Sequence, residues 1–115
     1  MTHDEKEALE RFIKSVRSHY DSSLYDVVVF GSRARGDHRA DSDVDLAIIL
    51  EGLAWDFWDE KLRLVDMSDD AFFEHGLLIQ AWPIAKSSWL DPSLHYNPRF
   101  IRSIRRDARP VSEAA

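Results

Sequence analysis

The stretch GSRARGDHRADSDVDL, residues 31–46, decides the fold, because it joins two apolar runs at residues 24–30 and 46–50. Both runs have the length and the β-branched content that are typical of strands. Alternate side chains of a strand point the same way, so Asp43 and Asp45 are predicted to share one face. At about 3.3 Å per residue, their Cα atoms would lie roughly 6 to 7 Å apart. Two carboxylates at that spacing can bind divalent cations for phosphoryl transfer.

The turn that precedes the carboxylates is suited to an anion. Gly31 has no Cβ, so a ligand can approach the backbone closely, and Ser32 adds a hydroxyl group. A short helix that starts near Arg33 would direct its free N–H groups toward the same point. The turn therefore predicts a phosphate-binding position beside the two carboxylates.

Three arginines, Arg33, Arg35 and Arg39, follow in the connecting loop. The planar guanidinium group offers a fork of donors that matches phosphate oxygens. The alternative is that these arginines are surface residues that pair with Asp37 and Asp41. The residues alone fit either interpretation for all three arginines. For Arg35, the resemblance of the longer pattern to a known family favours a phosphate-binding or structural role.

The combined pattern resembles a known family. Gly-Ser, ten residues and then Asp-x-Asp is the signature of the nucleotidyltransferase superfamily that resembles DNA polymerase beta. The longer form, Gly-Ser-x-Ala-Arg-Gly and then Ser-Asp-x-Asp-Leu, resembles the minimal nucleotidyltransferases, antitoxins that are often paired with HEPN-type toxins. The positions that match are Gly31, Ser32, Ala34, Arg35, Gly36, Ser42, Asp43, Asp45 and Leu46.

This resemblance implies a fold, a reaction and a set of site residues. The fold would be α+β, a small mixed β-sheet with helices packed on one side. The reaction would be Mg²⁺- or Mn²⁺-dependent transfer of a nucleoside monophosphate, AMP from ATP, to a hydroxyl acceptor on a partner toxin. Asp43 and Asp45 would be the catalytic and metal-binding residues. The nucleotide-binding residues would be Gly31, Ser32, Arg33, Arg35 and Ser42.

The chain departs from the family pattern at a third carboxylate. Many members of the superfamily place another Asp or Glu on a following strand, but the predicted third strand, residues 77–84, contains no acid. Gln80 is its polar residue, and neither Asp66 nor Glu74 can be placed at the site from sequence. Two alternatives therefore stay open: an antitoxin with a degenerate site that neutralises its partner by binding alone, and a nucleotide-sensing module.

Composition narrows the class of protein. The 115 residues suit one domain, predicted as residues 1–108 with a C-terminal tail at 109–115. The formal net charge of −6 argues against a broad nucleic-acid surface, although nucleic acid could still be the acceptor. The absence of cysteine excludes disulfides and thiolate metal sites. No apolar signal core or membrane span is apparent, so we expect a cytoplasmic protein.

Helical periodicity predicts helices over residues 3–20 and 98–108, and a largely helical region over residues 54–75 that could be one helix or two. Residues 111–115 are predicted to be a frayed tail. We expect the four tryptophans to be mostly core and rim residues, with any exposed subset marking a partner surface. The core candidates in residues 54–75 are Trp58, Leu62, Val65, Phe72 and Phe73.

Overall fold

The computed structural model describes residues 1–37, 39 and 43–114. Within them, 3-10 turns follow the first helix, the fourth helix and the last strand. The helices and strands are, in chain order, α1 (His3–Tyr20), β1 (Leu24–Phe30), α2 (Ser32–Arg35), β2 (Val44–Leu50), α3 (Phe57–His75), β3 (Ile79–Ala85), α4 (Lys86–Leu90), α5 (Pro98–Asp107) and β4 (Arg109–Pro110).

The strands of the described residues form one mixed sheet in the order β3-β2-β1-β4. Strand β1 is antiparallel to β2 and to β4, whereas β2 and β3 are parallel and are joined through α3. In the register of the sheet, Asp45 of β2 pairs with Phe30 on β1 and with Gln80 on β3. Because β2 has a partner on each side and is covered on both faces, it reads as a nearly continuous apolar run.

The first face of the sheet carries the larger core, formed with α1 and α3. Helix α1 confirms the predicted bounds, and it begins in a capping box in which Thr2 and Glu5 satisfy each other's backbone N–H groups. The Tyr20 hydroxyl donates to Glu60 Oε1 over 2.9 Å and joins α1 to α3. The sheet residues of this core are Val27, Val29, Val44, Leu46, Ile48, Leu50, Ile79 and Ala81.

The second face is covered by α5. Ile101 and Ile104 of this helix are completely buried against Val28, Ala47 and Ile49 of the central strands. The mixed α+β class is confirmed, and the two long helices share one face as expected. Helix α5 covers the other face, because strands that are apolar on both faces must be shielded from water on both.

Helix α3 is a single helix whose buried face differs from the predicted one. Asp56 caps its start, and Gly76 ends it in the left-handed conformation, with φ at 67°. Its buried residues are Leu64, Ser68 and Ala71. The prediction of its core was wrong, because the five residues chosen from sequence are all exposed: Trp58, Leu62, Val65, Phe72 and Phe73.

The C-terminal segment also differs from expectation. Arg109 and Pro110 pair with Val29 and Val28, so the sheet gains an edge strand. Val111 packs against the larger core, and Ala114 is buried. The prediction of a frayed tail is therefore wrong for residues 111–114. No helix in the described part of the chain combines the length and the hydropathy that crossing a membrane requires.

Candidate active site

The two carboxylates lie on the second face of the sheet, at the start of β2. Val44 and Leu46 are completely buried in the larger core on the first face. Strand alternation therefore directs Asp43 and Asp45 to the opposite face, where both are partly exposed. Burial raises the pKa of Asp45 above its ordinary value, and the neighbouring charge of Asp43 raises it further. Asp43 immediately precedes β2, and its charge acts on Asp45, as the predicted sharing of one face requires.

Gly31 lies directly against one of these carboxylates. Its φ is +73°, and a Cβ built at this position would lie 2.5 Å from Asp45 Oδ2. Glycine is therefore needed both for the backbone conformation and for the space that the carboxylate occupies. Ser32, which is partly exposed, then begins the short helix α2. The turn and the carboxylate form one local unit, although they are 14 positions apart in the sequence.

The loop arginines have different surroundings. Arg35 donates through Nε to Asp37 Oδ2 over 3.1 Å and through Nη1 to Asp107 Oδ2 over 2.9 Å, so it ties α2 to the end of α5. Its charge also lowers the pKa of Asp45. Arg33 is only 2 % exposed, and its charge acts on Glu5 in α1. Burial leaves Arg33 little surface for a ligand.

Two of the loop positions named from sequence, Asp41 and Ser42, lie outside the described residues. Arg39 is described and exposed. The nucleotide-binding roles of Ser32, Arg33, Arg35 and Ser42 stay predictions.

Gln80 occupies the position beside Asp45 on the neighbouring strand, β3. The two residues are register partners in the parallel pairing of β2 with β3, and neighbouring strands lie about 4.8 Å apart. Gln80 therefore lies on the same face as the carboxylates. Among the described residues, no cluster of three or more His, Cys, Asp or Glu side chains could hold a metal ion. Gln80 thus places an amide, and not an acid, at the register position beside Asp45.

Lys61 is a site residue that the sequence did not reveal. It extends from α3 to the edge strand β3, where its Nζ donates to the carbonyl oxygen of Ala81 over 2.7 Å. The same ammonium lies 4.2 Å from the centroid of the Trp82 ring, a cation–π contact. Burial lowers the pKa of Lys61, while the charge of Asp45 raises it. Lys61 therefore places a positive charge near the carboxylates from the β3 side.

Aromatic rings form an apolar wall next to the carboxylates. The Phe100 ring of α5 makes edge contacts with Phe30, at a centroid distance of 6.2 Å, and with Trp82, at 5.7 Å. Phe30 and Gln80 are the register partners of Asp45, and Trp82 is the register partner of Ala47 on the same face. These partly buried rings lie on the same face as Asp45, which agrees with the partial burial of its carboxylate.

The carboxylate pair fits a divalent cation that is shared with a phosphorylated substrate. Mg²⁺ is commonly held by one or two carboxylates together with substrate phosphates and water, and a complete protein cage is not required. Asp43 and Asp45 would supply two such ligands, and the missing Cβ of Gly31 lets the Asp45 carboxylate lie against the turn. These residues are compatible with a metal ion whose remaining ligands come from a triphosphate.

Comparison with known proteins shows the family of this chain. Residues 9–110 match the family model described as nucleotidyltransferase domain. The chain belongs to this family. It is 27 % identical over 78 residues to a Methanocaldococcus jannaschii protein provisionally named a protein adenylyltransferase, over 68 % of this chain and 71 % of the relative.

A solved structure supports the fold of this nucleotidyltransferase domain. The crystal structure of a provisionally assigned nucleotidyltransferase from Sulfolobus solfataricus is similar, with a TM-score of 0.52 and 21 % sequence identity. The similarity covers 76 % of this chain and 79 % of the crystallised chain. At this identity, the similarity concerns the fold alone.

Proposed function

We propose that this nucleotidyltransferase domain transfers AMP from ATP to a hydroxyl group of a partner protein. The observation that carries the proposal is the contact between the Asp45 carboxylate and the Gly31 turn, with Asp43 on the same face. This arrangement supports the proposal because it would bring two metal ligands next to a turn that phosphates can approach. A protein acceptor is favoured by the name of the Methanocaldococcus jannaschii relative.

In this proposal, the acceptor oxygen attacks the α-phosphorus and the bond from that phosphorus to the bridging oxygen of pyrophosphate breaks. Mg²⁺, when bound, offsets the charge on the phosphates. Asp43 and Asp45 would hold the ion, and Gly31 and Ser32 would let the phosphates approach. Lys61 would offset further negative charge from the β3 edge, since its described hydrogen-bond acceptor is a neutral carbonyl.

The acceptor's proton needs a base, and Gln80 cannot supply one because an amide does not titrate in this range. The proton would pass to a carboxylate of the pair or to a group of the acceptor protein. The resemblance to minimal nucleotidyltransferases suggests that the acceptor is a HEPN-type toxin and that this chain acts as its antitoxin in the cytoplasm. ATP and Mg²⁺ are part of the same proposal.

A second candidate function is neutralisation of a partner by binding alone. The observation that favours it is the amide of Gln80 at the register position beside Asp45. A site without a third acid would bind Mg·ATP and yet transfer AMP slowly. Both candidate functions include binding of Mg·ATP, and they differ in the rate at which AMP is transferred.

The test is nucleotide binding and label transfer by a double variant. Asp43→Asn with Asp45→Asn should abolish Mg²⁺-dependent ATP binding in calorimetry and leave the circular dichroism spectrum unchanged. A matched control is Glu7→Gln with Glu10→Gln, which removes two exposed charges from α1. Unchanged Mg·ATP affinity in the first variant would refute the metal-binding assignment. Label that reaches the partner from α-³²P-ATP and not from γ-³²P-ATP identifies transfer of AMP.

A further inference from the structure

The outer face of α3 carries large apolar side chains in contact with solvent. This set is the α3 stripe, and it includes the most exposed of the four tryptophans. Soluble monomers rarely expose a contiguous apolar patch of this kind without a binding role. The members and their exposed fractions are Trp58 at 66 %, Leu62 at 60 %, Val65 at 44 %, Phe72 at 46 % and Phe73 at 78 %.

The spacing of the stripe is that of a helix-pairing seam. Positions 58, 62, 65, 69 and 72 follow one another at alternating steps of four and three, which keeps them on one line along a helix. At 1.5 Å per residue, this line is about 21 Å long. The buried residues Leu64 and Ala71 lie on the opposite side of α3. Helix α3 therefore has two apolar faces, and the described residues cover only one.

Charges border the stripe unequally. At about 100° per residue, the exposed acids Asp59, Asp66 and Asp70 follow its margin on one side, whereas Lys61 lies on the other side. Arg63 lies on the acidic side too, but farther from the stripe, and its Nε pairs with Glu60 Oε1 over 3.3 Å. Asp69, also exposed, sits within the line of apolar residues. A partner that buried this carboxylate would have to supply a cation, since an unpaired buried charge is costly.

We propose that the α3 stripe docks an apolar helix face of a partner protein, and that this helix carries basic residues along one border. The apolar seam supplies the contact area. The basic border would face Asp59, Asp66 and Asp70, and one basic side chain would pair with Asp69. Complementary charge of this kind selects the partner and speeds association.

A second copy of the chain fits this surface less well. An antiparallel pair of α3 helices would set the two acidic borders against each other. A parallel pair would set the two Asp69 carboxylates against each other in the seam. Like charges that face one another across an interface disfavour both arrangements.

The stripe is continuous with the candidate active site through Lys61. This residue borders the stripe on α3, and its ammonium contacts Ala81 and Trp82 beside the carboxylate face. A partner docked on α3 could therefore extend a loop over the β3 edge toward Asp45. This part of the inference rests on the proposed function, because it makes the docked partner the acceptor.

The experiment uses synthetic helical peptides of about three heptads as probes. Each has leucine at the seam positions, and the flanking residues are lysine and arginine in one peptide and glutamate in the other. Fluorescence anisotropy should show that the full-length protein binds the basic peptide at least about tenfold more tightly than the acidic one. Leu62→Glu should weaken binding of the basic peptide about tenfold or more, as loss of a central apolar contact does.

The control variant is Leu94→Glu. Leu94 is 64 % exposed and lies outside α3, so it matches Leu62 in type and in exposure. Both variants add one negative charge, which by itself would strengthen attraction to a basic peptide. Loss of binding confined to Leu62→Glu supports the proposal. Equal effects of the two variants, no preference between the peptides, or no binding at all would overturn it.

Sedimentation velocity tests whether the stripe instead pairs with a second copy of the chain. If the wild type dimerises and Leu62→Glu is monomeric, the occupant is a second copy and the proposal is wrong. Failure of the proposed function would be distinguishable from failure of the docking proposal. Leu62→Glu should keep its Mg·ATP affinity, and the Asp43→Asn and Asp45→Asn variant should keep its peptide affinity, so each surface is tested without the other.

Discussion

The ionised form of Asp45 is disfavoured in the folded protein. Burial raises its pKa, and the charge of Asp43 raises it further, while Arg35 and Lys61 act in the opposite direction. A carboxyl whose pKa is higher in the folded state makes stability fall as pH rises from its unfolded pKa to its folded pKa. The whole penalty is present at pH values above the folded pKa, and a bound divalent cation would offset it.

We therefore predict that Asp45→Asn is more stable than the wild type at neutral pH. The difference should disappear as the pH falls below the ordinary carboxyl pKa, because Asp45 is then protonated in both states. Urea unfolding at a series of pH values measures it, with Asp66→Asn on the exposed side of α3 as the control. A pH-independent difference, or none, would contradict the prediction. Added Mg²⁺ should stabilise the wild type and the Asp66→Asn control, but not Asp45→Asn.

Lys61 is predicted to contribute to nucleotide affinity. Lys61→Met should weaken Mg·ATP binding about 10- to 100-fold, the range for a hydrogen bond to a charged group, and Lys61→Arg should restore part of it. Calorimetry measures the affinity.

The control for this variant is Lys86→Met. Lys86 Nζ lies 4.6 Å from the Tyr25 ring and 3.2 Å from Glu51 Oε1, so it is a similar lysine–aromatic contact near the far end of β3. If both variants lose thermal stability and neither loses affinity, Lys61 only supports the edge strand. Lys61→Met should leave binding of adenosine unchanged, since adenosine carries no phosphate.

At the scale of elements, the parallel pairing of β2 with β3 determines which residues of β3 and α3 lie near Asp45. The register places Gln80 beside Asp45, and the crossover through α3 brings Lys61 to the same edge. An acid at position 80 would therefore complete a cluster of three carboxylates, and Lys61 would offset part of its charge.

Gln80→Glu is predicted to strengthen binding of Mn²⁺ and to raise single-turnover transfer to the partner. A positioned base typically contributes about 10² to 10⁴-fold. Electron paramagnetic resonance follows the Mn²⁺, and quenched-flow assays follow the label. Gln80→Met, which has a similar length and no carboxylate, is the control. Fast transfer by the wild type with no gain in Gln80→Glu would mean that the acceptor supplies its own base.

At the scale of the whole molecule, the C-terminal segment closes the open side of the sheet. Strand β4 pairs with β1, and the turn after it packs Val111 and Ala114 against the core on the first face. Strand β4 directly follows α5, so its pairing with β1 also anchors the end of that helix to the sheet. A hydrogen bond from Arg35 of α2 to Asp107, the last residue of α5, adds a second connection.

Removal of residues 109–115 is predicted to lower the free energy of unfolding by about 2 kcal/mol, the scale of burying one valine side chain. Chemical denaturation of the full-length and truncated chains measures the difference. Val111→Ala in the full-length chain separates lost packing from lost strand pairing, and it should cost less than the truncation. Equal stability of all three would mean that the segment does not contribute to the fold.

The sequence by itself determined the features that depend on neighbours along the chain. The apolar runs defined β1 and β2, strand alternation put Asp43 and Asp45 on one face, and the Gly31-Ser32 pattern indicated the family. The bounds of α1 followed from one apolar stripe and a capping residue, because a single stripe leaves one choice of buried face.

Only the tertiary structure decided which of two apolar faces of α3 is buried. The exposed stripe has the more regular spacing, yet the sheet and α1 contact the face of Leu64 and Ala71. The register of β3, the reach of Lys61 and the pairing of residues 109–110 were likewise beyond local patterns. These contacts join residues that are distant along the chain, and they depend on how helices and strands pack together rather than on the preferences of any one segment.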